Sequence, residues 1–327
     1  MSVDAQLLQS LRTAGSSGAI SGADLSQKLG ISRAAIWARI EALRELGYEI
    51  EASPHQGYRL LSAPDVLHAD DLGWRLEDHP RIGRDIRVFE QTTSTNDVIE
   101  KMARDGAKEG AVVFAESQTH GRGRLGRLWV SPPRKGLWFS VLLRPDLSPQ
   151  AATQLTVAAA VAVRRAIEQQ TGLRTEIKWP NDILIKGKKV AGILTELSAE
   201  LDRIKYVLVG IGVDVNLRKE DFLPELASQA TSLQIELGRP VVRAELAAAL
   251  LRELDKEYGK LLAGQFGEVA DEWEKHCSTL GQRLVIVLGA RSISGRAEAL
   301  GEDGALLLRT EHGHLERIVG GDVRLEK

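Results

Sequence analysis

Pro132 and Pro133 stand side by side in the stretch GRGRLGRLWVSPPRKG (121–136), and they restrict what this chain can fold into. Gly121, Gly123 and Gly126 spell G-x-G-x-x-G, the spacing of a dinucleotide-binding turn. That turn works only between a strand and a helix whose N-terminus holds the pyrophosphate. Two adjacent prolines and a second loop after Gly126 exclude such a helix, so a doubly wound nucleotide fold is ruled out here. A Walker A loop is ruled out too, because the terminal G-K-[ST] is missing. Three readings of Arg122, Arg124 and Arg127 stay open: an arginine patch for nucleic acid, a loop that closes over an anionic small molecule, or a solvated surface loop.

Composition makes any anion site a local matter. The chain has 327 residues, 27% of them charged, with a formal net charge of −2, so no bulk attraction to nucleic acid or membrane follows. Its length is that of two or three domains at roughly 100 to 200 residues each. Cys277 is the only cysteine, which excludes an intrachain disulfide and a multi-cysteine zinc cage and fits a reducing cytoplasm. The longest apolar run, around Gln154 to Val163, falls well short of the roughly 20 residues that span a bilayer.

The N-terminal part, 1–62, reads as a winged helix-turn-helix. Leu7, Leu8 and Leu11 have helical spacing; Ser21 or Asp24 is placed to cap a second helix that ends at Gly30; Ser32 caps a third with Ile36, Ile40 and Leu43 inward and Gly47 just past its end. YEIEASPHQGYRLL then alternates around a Pro-His-Gln-Gly turn, as a hairpin wing does. In such a motif the N-terminal residues of the second helix of the pair meet base edges, which picks out Ser32, Arg33, Ala34 and Trp37, with Arg39 and Arg44 near phosphates. Residues 63–83 carry proline, glycine and acidic residues without periodicity and are expected to be a linker.

From 84 to 280, strands outnumber helices and often follow one another directly, the pattern of an α+β mixed sheet. RDIRVFE, AVVFAESQ, GLWFSVLLRP, RTEIKW, KKVAGILTELS and IKYVLVGIGVDVNL read as strands; STNDVIEKMARDG, residues 149–171, 241–262 and 264–280 read as helices. Short strands between glycine turns fill 281–327, spaced like a small barrel. Taken singly, Ser94 or Thr95 reads as a helix cap, Asp182 as a cap of the turn after Pro180, and Lys188 and Lys189 as hairpin surface charge.

Taken in order, STN (94–96), GRGRLGR, W-x-SPP-x-x-GLWFSVLLRP, KWPND (178–182) and KKVAGILTE (188–196) resemble the biotin protein ligase family over nearly the full length. With the helix-turn-helix in front, the chain is similar to the bifunctional form, biotin ligase and biotin operon repressor. The resemblance implies a central mixed sheet like that of class II aminoacyl-tRNA synthetases and an SH3-like C-terminal barrel. It implies two steps: biotin and ATP, with Mg²⁺, give biotinyl-5′-AMP and pyrophosphate, and a carrier lysine then takes the biotin and releases AMP. It implies as partners a biotin carboxyl carrier protein of acetyl-CoA carboxylase or a related enzyme, and operator DNA upstream of biotin synthesis genes. A homodimer bound to the adenylate, which acts as corepressor, follows as well.

By motif match, Ser94, Thr95, Asn96 and Gln118 fall where the family hydrogen-bonds the biotin head group, and Gly121, Arg122, Gly123, Arg124 and Lys189 line the biotin and adenylate site. Arg124, Lys189 and Asp182 are the implied catalytic residues, Asp182 also the implied Mg²⁺ ligand, with Lys178, Asn181, Asp214 and Asn216 as further nucleotide or metal contacts. One position departs from the pattern: Asp214 in GIGVDVN stands where the family has asparagine. A small-acid-sensing transcription factor without ligase activity and a lipoate-type ligase are the alternatives from other classes.

Overall fold

The computed structural model describes residues 2–15, 18–54, 56–76, 81–200 and 203–325. His55 of the wing turn and residues 77–80 of the expected linker lie outside them. The chain divides into two compact units, 1–79 and 80–327.

In the first unit, three serines start three helices. Ser2, Ser21 and Ser32 each accept a backbone N–H of the first turn of α1 (Val3–Ala14), α2 (Gly22–Leu29) and α3 (Arg33–Glu45); such a cap stabilises a helix by about 1 kcal/mol. Gly30, at φ 67°, ends α2 in the left-handed conformation that glycine adopts freely. Leu7, Leu11, Leu25, Ile36 and Ile40 are buried together with Tyr48 and Leu60 of the wing, whose strands β1 (Glu49–Ser53) and β2 (Gly57–Ser62) pair antiparallel. The expected linker departs from expectation: helix α4 (Ala69–Arg75) lies inside it. Leu72 of α4 is fully buried, and Asp71 receives Arg12 of α1 at 3.0 Å and the Trp74 indole N–H at 2.9 Å. This helix was illegible because its anchor is a buried carboxylate on an apolar-poor turn.

The second unit is built on a seven-stranded sheet of β3 (Asp85–Phe89), β4 (Ala111–Ala115), β5 (Leu137–Leu143), β6 (Glu176–Lys178), β7 (Asp182–Ile185), β8 (Lys188–Glu200) and β9 (Arg203–Val213). Their order is β3-β4-β5-β9-β8-β7-β6; only β3 and β4 run parallel, which makes the sheet mixed. β5 is buried along its whole length because both faces are covered. Val113, Leu142 and Leu208 pack on α5 (Thr95–Arg104). Their neighbours Val141, Leu143 and Val209 face Leu155, Ala158 and Leu254, from α6 (Thr153–Thr171) and α8 (Arg243–Leu262). The alternation is the period of two expected of a strand. Strand β7 is an element beyond the expected ones: four residues against the KGKK turn are too short to announce themselves.

A short helix α7 (Leu233–Leu237) precedes α8, and α9 (Phe266–Lys275) follows it. Arg164 and Arg165 of α6 reach Glu257 of α8 and Glu272 of α9, tying the three helices by ion pairs at partly buried positions. The C-terminal residues form a five-stranded antiparallel sheet, β13-β12-β11-β10-β14, from β10 (Arg283–Leu288), β11 (Arg291–Leu300), β12 (Leu306–Thr310), β13 (Leu315–Ile318) and β14 (Asp322–Leu325).

Candidate functional site

One cavity of about 670 Å³ opens over the β8–β9 part of the mixed sheet. It gathers Ser94, Thr95, Asn96, Gln118, Arg122, Gly123 and Arg124 with Lys178, Asn181, Asp182, Lys189 and Asp214. These residues come from five separate stretches of chain, so the fold is what turns the motifs into a site.

One end is rich in amide and hydroxyl hydrogen-bonding groups. The Gln118 amide oxygen accepts from the Thr95 backbone N–H at 2.9 Å, and its nitrogen donates to Ser131 Oγ at 2.8 Å. Ser140 Oγ lies 2.7 Å from Thr95 Oγ1 and 2.5 Å from Asn96 Oδ1. Ser94 occupies the N-cap of α5, yet its hydroxyl makes no capping bond, which sets aside the simple capping role.

The middle is aromatic. The Trp129 ring lies across β9, where a Cβ on Gly212 would come within 2.5 Å of it; only glycine admits this approach. Lys189 Nζ sits 5.1 Å from the centroid of the same ring. Trp129 was visible in the sequence as part of the motif but carried no assigned role.

The other end is cationic. Arg124 follows Gly123 into a tight turn with Leu125 at φ 56°, and its guanidinium donates to the neutral Asn181 Oδ1 at 3.3 Å. Burial pulls the Arg124 pKa below its ordinary value, against the attraction of Asp182. A half-buried cation whose near partner is a neutral oxygen is suited to an incoming anion. Lys178 opens on the same cavity. Arg122 is different: Asp97 holds it at 2.5 Å and Glu196 at 3.4 Å, so two carboxylates already balance its charge.

Lys189 Nζ meets Asp182 at 2.6 Å, which makes Asp182 the partner of a lysine before anything else. Asp214 is buried beside them; desolvation holds its carboxyl well above the usual carboxylate range, and Lys189 opposes this in part. A carboxyl that keeps its proton is neutral and can donate one hydrogen bond, whereas an asparagine amide donates two. Among the described residues, no group of three His, Cys, Asp or Glu side chains could hold a metal ion.

Two expected residues stay out of the cavity. Asn216 spends both ends of its amide on the backbone of Val241, each at 2.9 Å, and so clamps the chain entering α8. Gly121 is buried under the loop, where a Cβ would come within 2.4 Å of the Trp129 carbonyl oxygen. In the first unit Ser32, Arg33, Ala34 and Trp37 are exposed on α3 as expected. Arg39 and Arg44 already have partners in the same unit: Arg39 binds Asp4 at 2.5 Å, and Arg44 binds Glu41 and the Ile50 carbonyl. The C-terminal sheet also reaches the site: Gly321, Asp322 and Val323 line the cavity, and Asp322 receives Arg127 of the loop at 2.5 Å. A glycine turn in a barrel-like tail gives no sequence sign of that.

Comparison with known proteins agrees with this arrangement. Residues 88–216 match the biotin/lipoate A/B protein ligase family, 5–59 an HTH domain, and 279–325 the biotin protein ligase C-terminal domain. The bifunctional ligase/repressor BirA of Bacillus subtilis is 39% identical, over 94% of each chain. A biotin–[acetyl-CoA-carboxylase] ligase of Paracoccus denitrificans is 34% identical over 69% of this chain and 95% of its own. The biotin protein ligase of Aquifex aeolicus, solved in complex with biotin and ATP, superposes with a TM-score of 0.64 at 31% identity, covering 75% of this chain and 99% of its own. With mixed sheet, helix-turn-helix and C-terminal sheet all accounted for, this chain belongs to the biotin/lipoate protein ligase family, in the arrangement of its bifunctional ligase/repressors.

Proposed function

We propose that this protein is an ATP-dependent biotin protein ligase and a biotin-responsive repressor of biotin synthesis genes, acting in the cytoplasm. The observation that carries the ligase half is the polarity of the cavity: amide and hydroxyl groups at one end, Trp129 in the middle, and Arg124, Lys178 and Lys189 at the other. Biotin has the same order, with a urea that needs donors and acceptors, an apolar chain and a carboxylate.

The first step brings a carboxylate to a triphosphate, anion against anion. A biotin carboxylate oxygen forms a bond to the α-phosphorus of ATP, the bond to the bridging oxygen breaks, and pyrophosphate leaves. Positive charge placed in advance lowers the barrier to this step. Arg124 and Lys189 supply it: Arg124 hydrogen-bonds the neutral Asn181 and feels Asp182 and Asp322 from further off, and Lys189 is aimed by Asp182 and by the Trp129 face. Lys178 faces the leaving phosphates in this reading. Asp182, whose buried Oδ1 has no hydrogen-bond partner although Lys189 Nζ lies 2.6 Å away, would be the side chain offered to Mg²⁺, which would neutralise phosphate charge. In the second step the carrier lysine amine attacks the acyl carbon of biotinyl-5′-AMP, the bond to the phosphate oxygen breaks, AMP leaves, and the amine proton passes to water.

The repressor half rests on α3, whose exposed N-terminal residues Ser32, Arg33, Ala34 and Trp37 stand as a recognition helix presents them, with the β1–β2 wing beside it. In this reading the adenylate acts as corepressor by favouring a homodimer that matches two half-sites of the operator. The test of the ligase is direct. Purified protein with biotin and MgATP should label the lysine of a biotin carboxyl carrier domain, and a preparation that leaves the carrier unlabelled refutes the assignment.

A further inference from the structure

Glu196 sits on β8 outside the cavity lining, yet it touches two of the groups that shape the site. Its Oε2 accepts from Asn96 Nδ2 at 2.6 Å and from Arg122 at 3.4 Å. Asn96 is buried, at 3% exposure, and its Oδ1 faces Ser140 Oγ at 2.5 Å. An amide can turn over and exchange its oxygen for its nitrogen at little steric cost, so something must decide which end points where. An ionised carboxylate accepts only; it therefore holds the Asn96 nitrogen toward itself and turns the oxygen to the other side.

We infer that Glu196 is a positioning residue for recognition of the biotin head group, acting through the orientation of the Asn96 amide. The inference rests on the reading of the cavity as a biotin site. The contact to Arg122 is secondary, because it is longer and Asp97 shares that guanidinium at 2.5 Å. Removing Glu196 leaves a buried amide nitrogen without its acceptor and frees Asn96 to present either end to the ligand. The cost falls on binding, since no charge at the reacting atoms changes.

The experiment measures biotin dissociation constants by calorimetry, and KM and kcat for biotin in adenylation, for wild type, Glu196→Ala, Glu196→Gln, Asn96→Ala and the double variant Glu196→Ala/Asn96→Ala. Loss of a buried hydrogen bond to a charged group predicts that Glu196→Ala weakens biotin binding and raises KM by about tenfold or more, with a much smaller change in kcat. Glu196→Gln, which keeps an acceptor oxygen, should recover most of that loss. In the Asn96→Ala background the same Glu196→Ala change should cost less than about twofold, because the residue it acts through is gone. An equal loss with and without Asn96, or a fall in kcat and melting temperature with KM unmoved, overturns the inference. A wild-type protein that neither binds nor adenylates biotin overturns the biotin reading itself, a separate failure.

Discussion

Lys189 Nζ lies 2.6 Å from the Asp182 carboxylate. The pair joins the KWPND segment to the start of β8 and fixes a positive charge over Trp129. Lys189→Met keeps most of the alkyl stem on the ring and removes only the charge. Loss of one preorganised group that stabilises transition-state charge costs about 100-fold or more in rate. The adenylation kcat of Lys189→Met should fall by that order while the melting temperature stays near wild type; a drop of only severalfold would show that Lys189 packs rather than catalyses.

Arg124 is a half-buried cation whose hydrogen-bond partner is the neutral Asn181. Arg124→Gly should let biotinyl-5′-AMP escape before transfer, and biotin labelling of unrelated proteins in the same tube should rise. Arg124→Lys should restore retention poorly, because a lysine cannot make the paired hydrogen bonds of a guanidinium. Unchanged selectivity in Arg124→Gly would remove this residue from the phosphate site.

Two carboxylates give opposite pH signatures. Burial raises Asp214 well above its ordinary value, so the folded state keeps a proton that the unfolded state loses; stability declines as pH rises above the unfolded value. Asp214→Asn should therefore raise the melting temperature more at pH 8 than at pH 5. For Glu272, burial pushes the pKa up, but hydrogen bonds from Arg165 and Arg164 outweigh it and bring it down to about 2. Its stabilisation is present above the ordinary carboxylate range and is lost as pH falls toward about 2, so Glu272→Gln should flatten the acid limb of a stability profile. Melting curves across pH read both, and identical profiles in variant and wild type would contradict the two assignments.

Much of this was legible in the sequence, and what was not has physical reasons. Serine caps, glycine stops and alternating strands are local signals, and they placed α1 to α3, the wing and most of the mixed sheet. Partnerships are not local. Nothing near Glu196 announces Asn96, a hundred positions away, and nothing near Asp322 announces Arg127. Arg122 looks in sequence like the equal of Arg124, and only the fold reveals that Asp97 and Glu196 hold one while a neutral amide faces the other. Asn216 fits its motif, but its side chain serves the backbone of Val241.

Arg33 belongs to a unit separate from the cavity. Arg33→Ala should weaken operator binding in a gel shift while leaving carrier labelling intact. Parallel loss of both activities would contradict the separation of the two functions.

The loop 121–127 is expected to close over bound ligand. Leu125 and Leu128 line the cavity while still 69% and 64% exposed, and the Arg127 side chain is held by an ion pair to Asp322. Biotin with ATP should protect Arg122 to Arg127 from trypsin. Equal cleavage with and without both substrates would contradict closure.

The most direct test is biotin-dependent exchange of labelled pyrophosphate into ATP by the purified full-length protein, run beside lipoate at matched concentration. Exchange that requires biotin, is not supported by lipoate, and collapses in Lys189→Met is the result predicted for a cavity that adenylates biotin. Absence of exchange, or exchange driven by lipoate in preference to biotin, would contradict it.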